Sequence, residues 1–517
     1  MNDSFLWIGL ANVLEPGNLL AILAGTAIGM VIGAMPGLSA TMAIALLLPL
    51  TFSMEPETGL SMLASLYLAA MYGGSIAAIL LRTPGTPAAA ATVVDGYPMA
   101  QRGQAGRALG LSLTASLIGG VLSAVALLTI APLLGRIVLN FGPVEIFAVA
   151  VLGITIIGSL SQGSTILGLF AGAVGLMMGT VGMDPTTGTP RFTFGVLELF
   201  GGVEFTVALI GLFSIPQAIR LVVRGDRDLG ERTSSVRDRM LPTFREFVEL
   251  VPNSLRSGAI GVLTGLIPGT GGDTASWFAY NEARRFSRRK ELFGTGHAPG
   301  IVAPEAANNA VVGGALVPTI ALGIPGSSAT AVLLGGLMVH GILPGPTLMT
   351  EHGAVTYTLL WAVLLANVAL FLVGILFTRA CVAVTKIPNR VVGPVIVVLS
   401  VVGAFAINNA LFDVWLMIAF GMLGFAFDEL GIPTPPLVIG LILGPVLDTS
   451  LQQSLLIGQG SWTIFLQSPI SAVLLGIALL SVLQATPLFG ALGRLFRTPR
   501  DAAASRGLDG GPPGSRE

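Results

Sequence analysis

Long apolar runs broken by Pro-Gly pairs dominate the pattern of this chain. The first run covers 19–52, and Met35-Pro36-Gly37 interrupts it near its middle. A spanning helix needs ~20 apolar residues, so these 34 residues predict two short pieces, a broken helix or a re-entrant hairpin. The second run, 60–81, is rich in small residues (Gly73, Gly74, Ser75, Ala77, Ala78) that let helix backbones approach closely. It ends at Arg82-Thr83-Pro84-Gly85-Thr86-Pro87, with Asp95 and Tyr97 shortly beyond. Further spans are predicted near 108–134, 142–160, 165–181 and 197–215.

The run 304–328 carries the most chemistry. Glu305, Asn308 and Asn309 stand at i, i+3 and i+4, one face of a helix, before a break at Pro325-Gly326 followed by Ser327 and Ser328. Irregular backbone at membrane depth is tolerated only where protein or a watery cavity covers it. Such a break is a candidate binding site, and an ionisable residue beside it is a functional candidate.

The breaks recur. Thr264-Gly265-Leu266-Ile267-Pro268-Gly269 answers Ile32-Gly33-Ala34-Met35-Pro36-Gly37 at an offset of 232 residues. Gly313-Gly314 and Pro325-Gly326 answer Gly73-Gly74 and Pro84-Gly85 at offsets of 240 and 241, and Gly431-Ile432-Pro433 answers Gly182-Met183-Asp184-Pro185 more loosely at 249. The order predicts an N-terminal segment (1–17), a first membrane repeat (18–219), a linker (220–256) overlapping a second repeat (250–490), and a disordered tail (491–517). Paired repeats with Pro/Gly-interrupted segments at matching places point to a secondary transporter with its site at the repeat interface.

Composition fixes the class. With 10% charged residues, 53% hydrophobic and a mean hydropathy of +0.84, the chain has too little charge to solvate a soluble protein of 517 residues. The expected fold is an all-α polytopic membrane protein of about eleven to thirteen segments, built as two inverted repeats. Eight arginines fall within 220–256, which predicts a cytoplasmic linker. The run Arg284, Arg285, Arg288, Arg289 and Lys290 is a second topological anchor, and Arg82 is either another or a partner for a substrate carboxylate. One cysteine excludes an internal disulfide, and with three histidines no transition-metal site is expected. The first 17 residues lack Lys and Arg, the wrong charge pattern for a cleavable signal peptide. Nothing points to a nucleic-acid partner.

Helix N-termini hold carboxylates without a buried cationic side chain, because their N–H groups are unpaired and the dipole is positive there. The substrate candidates are therefore Pro36, Gly37, Ser39 and Thr41 at the first break and Thr83, Pro84, Gly85 and Thr86 at the second. Pro268, Gly269, Thr270 and Gly271 form the third, and Pro325, Gly326, Ser327 and Ser328 the fourth, with Asn308 and Asn309 between them. Glu305 is a candidate ion site. Asp273 either ligates the coupling ion, Na+ or H+, or caps the helix that starts beside it. Asp428, Glu429 and Asp448 mark an exposed edge or a proton path.

The stretches G-A-M-P-G-L-S-A-T-M, Y-G-G-S-I-A-A-I-L-L-R-T-P-G-T-P, G-L-I-P-G-T-G-G-D-T-A, P-E-A-A-N-N-A and G-I-P-G-S-S-A-T-A resemble the large membrane subunit of the tripartite tricarboxylate transporters, the TctA family. The resemblance spans about 18–490. It implies a permease of the bacterial inner membrane that takes citrate or a related carboxylate, works with a small membrane subunit and a periplasmic solute-binding protein, and runs on an ion gradient. The lack of a G-x-x-x-x-G-K-[ST] phosphate loop agrees with that. Two other readings stand beside it: a passive channel, and an intramembrane hydrolase using Ser327 with His340 as its base.

Overall fold

The computed structural model describes residues 4–484 except 36, 161–163, 185–186, 225–237, 346–347 and 385–387. The described residues form helices α1 (Ser4–Val13), α2 (Pro16–Gly33), α3 (Ala40–Leu47), α4 (Pro56–Leu81), α5 (Ala90–Met99), α6 (Ala105–Val138), α7 (Pro143–Leu160), α8 (Thr165–Gly179) and α9 (Phe205–Arg224). They continue with α10 (Phe244–Gly265), α11 (Gly271–Phe286), α12 (Ala298–Leu322), α13 (Ser328–Val339), α14 (Leu348–Glu351) and α15 (Gly353–Val384). The last are α16 (Asn389–Asn408), α17 (Leu411–Glu429), α18 (Thr434–Ile457), α19 (Ile464–Gln467) and α20 (Pro469–Gln484). A two-strand hairpin, Gly182–Met183 with Pro190–Arg191, is the one sheet among the described residues. Eight helices are long and apolar enough to cross a membrane, and the chain is an all-α polytopic membrane protein. Helices α10 to α13 are not among those eight, since polar residues interrupt them or they are too short.

Glycine decides how the breaks pack. Pairs of close approach between α2 and α4 run Gly29 to Leu66, then Gly33 to Ala70, with both numbers rising together. The two helices are therefore parallel, so the chain between them, through α3, must return to the side on which α2 began. Between α10 and α12 the pairs are Gly261 to Ala307 and Gly265 to Val311, again parallel, and α11 is the returning segment. A Cβ on Gly73 would lie 2.6 Å from the Met30 carbonyl oxygen and 2.9 Å from Gly33 Cα. One on Gly314 would lie 2.6 Å from the Val262 oxygen and 3.1 Å from Gly265 Cα. These contacts repeat at the offsets of 232 and 241 that relate the Pro-Gly pairs.

The helix ends match as well. Helix α4 stops at Arg82 in the left-handed region (φ 58°), and α12 stops at Gly323 (φ 71°), each followed two residues later by a proline that cannot continue the helix. Gly37 (φ 88°) and Gly269 (φ 84°) turn the other two breaks, a conformation that favours glycine.

Helices α4 and α12 cross in opposite directions at the centre of the molecule. Every residue of α4 from Gly59 to Leu81 is buried, and so is every residue of α12 from Gly300 to Ala321. Gly59 in the first turn of α4 abuts His340 at the end of α13, and Gly300 in the first turn of α12 abuts Asp95 of α5.

Three sequence expectations change. The span near 197–215 begins at Phe205, because Leu197–Gly201 is a 3-10 turn and Gly202 (φ 92°) separates it from α9. The third repeat mark pairs unlike structures, a hairpin at Gly182 and a helix-to-helix turn at Gly431. The linker 220–256 is helical at both ends, where α9 reaches Arg224 and α10 starts at Phe244. Its described part docks firmly: Asp238 accepts from the Gly106 and Arg107 backbone N–H groups (2.6 and 2.8 Å) at the start of α6, and Arg107 pairs with Glu246 at 2.8 Å. The rest of the linker, and the tail 491–517, lie outside the described residues.

The glycine seams set a stability prediction. Gly314→Ala is expected to cost about 1–3 kcal/mol through overpacking against α10, read as a lowered thermal midpoint of the detergent-solubilised protein. Gly476→Ala, with open space around it, is the neutral control; equal midpoints for the two variants would refute the tight seam.

Candidate functional site

Where α4 and α12 cross, the interior is polar. Glu305 is fully buried, and four hydroxyls donate to its carboxylate. Ser75 of α4 reaches Oε1 at 2.6 Å and Thr92 of α5 joins it there; Ser112 and Ser116 of α6 reach Oε2 at 2.9 and 3.4 Å. Ser112 and Ser116 share a helix face, so one turn of α6 supplies both donors to one oxygen.

Asn308 points from α12 toward α4 and donates to the Met71 carbonyl at 3.3 Å. Its Oδ1 has no hydrogen-bond partner among the described residues, and Gly272 at the start of α11 packs against it. A Cβ on Gly272 would sit 2.9 Å from Asn308 Oδ1, 2.8 Å from Met71 and 3.1 Å from Ala88 just past the second break. Thr86 Oγ1, at that break, and both amide atoms of Asn309 are likewise buried without partners. Unsatisfied buried polar atoms are uncommon in folded proteins and call for an explanation such as a ligand.

The fourth break is tied to the first half. Ser327 caps α13, its Oγ accepting from the Thr330 N–H (3.2 Å), and it lies 3.2 Å from the hydroxyl of Tyr67 on α4. The Gly269 N–H donates to the Gly326 carbonyl (3.0 Å), joining third and fourth breaks, while Gly85 donates to Gly74 (3.1 Å) and packs against Gly33, joining second and first. The Gly326 N–H donates to Thr319 (3.2 Å) behind the buried Pro325.

Other candidates serve the backbone. Ser39 caps α3 through the Met42 N–H (3.1 Å), and Thr41 is buried in the turn that follows. Thr83 donates to the Leu81 carbonyl (3.3 Å) beside half-buried Pro84. Thr270 donates to the Ile267 carbonyl (2.9 Å), next to half-buried Pro268 and ahead of Gly271 (φ 66°). The Gly37 carbonyl accepts from Gln217 of α9. Asp273 lies in the first turn of α11 and Ser328 in that of α13, both half-buried. Pro36 lies outside the described residues. Arg82 is exposed and stands 5.9 Å from the Tyr97 ring, away from the polar interior. Of Asp428, Glu429 and Asp448, two close ion pairs: Asp428 with Arg220 (2.7 Å) and Asp448 with Arg191 (2.8 Å), which also holds Asp184. Among the described residues no group of three His, Cys, Asp or Glu side chains could hold a metal.

Sequence reasoning noted Asp95 beyond the second break without giving it a role, and it missed Tyr67. Asp95 is fully buried; its Oδ1 accepts the N–H groups of Gly294 (3.0 Å), Gly296 (2.8 Å) and His297 (2.8 Å), and its Oδ2 accepts from Tyr280 (2.9 Å). One carboxylate thus fixes the loop that launches α12. Tyr67 stands 241 residues before Asn308, so matched positions of the two crossing helices carry its hydroxyl and that amide.

Interrupted helices wrap a buried polar interior in this polytopic membrane protein. Residues 19–439 match the tripartite tricarboxylate transporter TctA family, and the chain belongs to that family. It is 35% identical over 483 residues to the uncharacterized 52.8 kDa protein in the TAR-I ttuC' 3'region of Agrobacterium vitis, covering 93% of this chain and 96% of that one. It is 34% identical over 225 residues to the uncharacterized protein in the TAR-II ttuC' 3'region of the same organism, covering 44% and 93%. No solved structure matches.

Asp95→Ala should release the loop before α12. A hydrogen bond to a charged group is worth ~1.5–3 kcal/mol, so amide exchange at Gly294, Gly296 and His297 should speed up by at least about tenfold. Unaltered protection there would show that the carboxylate does not hold the loop.

Proposed function

We propose that this chain is the permease subunit of a secondary transporter that carries citrate or a related carboxylate across the bacterial inner membrane. The observation that carries this reading is Asn308 Oδ1, a buried atom without a partner among the described residues that faces the start of α11, with Thr86 Oγ1 likewise buried and unpartnered at the second break. The start of α11 supplies the positive end of a helix dipole, Asn308 supplies a polar contact, and no lysine or arginine is needed. The tie between Tyr67 and Ser327 forms the matching polar spot on the other side of the crossing.

The cycle we infer is alternating access between two inverted repeats, with the break-bearing helices moving as one body in the manner of an elevator. The paired glycine seams and the opposed crossing of α4 and α12 support it. A periplasmic solute-binding protein delivers the carboxylate, a small membrane subunit completes the assembly, and an ion gradient drives the step. A ligand can shift such an equilibrium only by binding its two states unequally. The hydrolase reading fits the geometry poorly: Ser327 and His340 cap opposite ends of the 12-residue α13, ~20 Å apart at 1.5 Å per residue.

The test is uptake of labelled citrate and a panel of other carboxylates into proteoliposomes holding this chain with its small subunit, with and without the binding protein. Uptake that needs the binding protein and an imposed gradient is the expected result, and gradient-independent equilibration would indicate a channel instead. Asn308→Ala, which removes a contact worth ~1.5–3 kcal/mol to a charged ligand, should weaken half-saturation by about 10- to 100-fold. An unchanged value would remove Asn308 from the site.

A further inference from the structure

We propose that Glu305 binds and releases a proton in each transport cycle, and that its cage of hydroxyls is built for both protonation states. The inference rests on the transport reading above and names the ion that drives it.

A carboxylate buried at membrane depth without a cationic partner is costly. Glu305 has no Lys, Arg or His among its hydrogen-bond partners; all four are hydroxyls, from three different helices. A packing role does not call for this arrangement, since the matched position of the first half, 241 residues earlier, is Ala64. The carboxylate must be neutralised by a proton or by a metal cation, and the cage discriminates between them.

A carboxylate offers about four lone-pair directions. Here two hydroxyls occupy Oε1 and two occupy Oε2, with Ser75 and Ser112 in direct contact at 2.6 and 2.9 Å. A metal ion would have to break all of these hydrogen bonds, turning the hydroxyl hydrogens away from the carboxylate so that their oxygens face the ion. A proton needs only one of them to turn. A serine or threonine hydroxyl both donates and accepts, so one of the four can turn about its C–O bond and accept from the neutral acid. The same four side chains then satisfy the charged and the uncharged group alike.

The ionisable groups on the surrounding helices have other partners or positions. On α5, Asp95 is held by the loop 294–297 and by Tyr280 of α11, and Tyr97 accepts from Gln101. On α4, Tyr67 meets Ser327, Tyr72 meets Thr378, and Glu57 lies in the first turn. On α6, Arg107 pairs with Glu246 of α10, and Arg136 lies in the last turn. On α10, Arg245 pairs with Glu249, and Arg256 donates to Asn253. On α11, Asp273 lies in the first turn, Arg284 and Arg285 lie in the last, and Glu282 precedes them. Asn309, one turn along from Glu305 on α12, carries an amide with no partner among the described residues.

The experiment uses the complete three-part transporter in sodium-free proteoliposomes loaded with the pH dye pyranine, given labelled citrate or the panel carboxylate that it takes up. Wild type should acidify the interior as substrate enters. Glu305→Gln should lose concentrative uptake and acidification together, by at least tenfold, and its substrate-for-substrate exchange should lose dependence on pH. Because a change in this core can prevent folding, Ser112→Ala provides a second arm, expected to move the pH profile of uptake. Wild-type uptake that requires sodium and leaves internal pH unchanged overturns the proton proposal while leaving the transport reading intact. So does full proton influx through Glu305→Gln, or a pH profile that Ser112→Ala does not move. Absence of flux with every carboxylate overturns the transport reading, and this proposal with it.

Discussion

Interrupting a helix at membrane depth frees backbone N–H and C=O groups that lipid cannot satisfy, and each one left bare costs several kcal/mol. Four interruptions must therefore be wrapped by protein, and that requirement shapes the centre of this molecule. The Gly269 and Gly85 N–H groups find carbonyls at Gly326 and Gly74, and Ser39, Thr270 and Ser327 turn their hydroxyls back onto helix ends. Backbones can approach this closely only where side chains are absent, which is why glycines line the facing surfaces of α2 and α4 and of α10 and α12. The seams follow from the breaks, and the breaks are affordable because of the seams.

The two halves share this scaffold and differ in their chemistry. Gly33 and Gly265, Gly73 and Gly314, and Arg82 and Gly323 do the same work at matched positions. The polar interior does not repeat: Tyr67 stands opposite Asn308, Thr86 corresponds to Ser327, and Ala64 to Glu305. Thr86 is unpartnered while Ser327 caps a helix and meets Tyr67. A symmetric frame thus carries an asymmetric site. That arrangement suits a carrier that must present similar packing on two sides of a membrane while holding one substrate and one ion.

Much of this was legible in the sequence, for definable reasons. Pro-Gly pairs mark breaks because proline removes a donor and glycine tolerates positive φ, so they located the breaks along the chain directly. Glu305 and the two asparagines stood out because polar residues are costly in apolar runs. Ser75, Thr92, Ser112 and Ser116 did not stand out, since isolated hydroxyls in a membrane helix commonly bond their own backbone, as Ser65 and Thr114 do here. Nothing along the chain says that four such hydroxyls from three helices converge on one carboxylate 189 to 230 residues away. The role of Asp95 was hidden for a related reason: most of its partners are backbone N–H groups of a distant loop, which leave no mark on side-chain identity.

These contacts also bear on which parts can move. The α2–α4 and α10–α12 seams bring backbone against backbone, where sliding by one turn would drive side chains into carbonyls, so each pair behaves as a rigid unit. Asp95 fastens the loop before α12 to α5, and the hydroxyls around Glu305 fasten α4, α5 and α6 to α12, so both pairs belong to one body. Helix α9, by contrast, meets that body at α3 and α13 and is itself seamed to α17, where a Cβ on Gly211 would lie 3.0 Å from the Gly421 nitrogen. Likewise α8 is seamed to α18, where a Cβ on Gly440 would lie 2.7 Å from the Leu176 nitrogen. Displacement between the break-bearing body and the α8–α9–α17–α18 group breaks none of these seams and leaves the Glu305 cage closed. In the cycle proposed here, the proton and the carboxylate would then travel inside the moving body, with the change of access arising at its boundary.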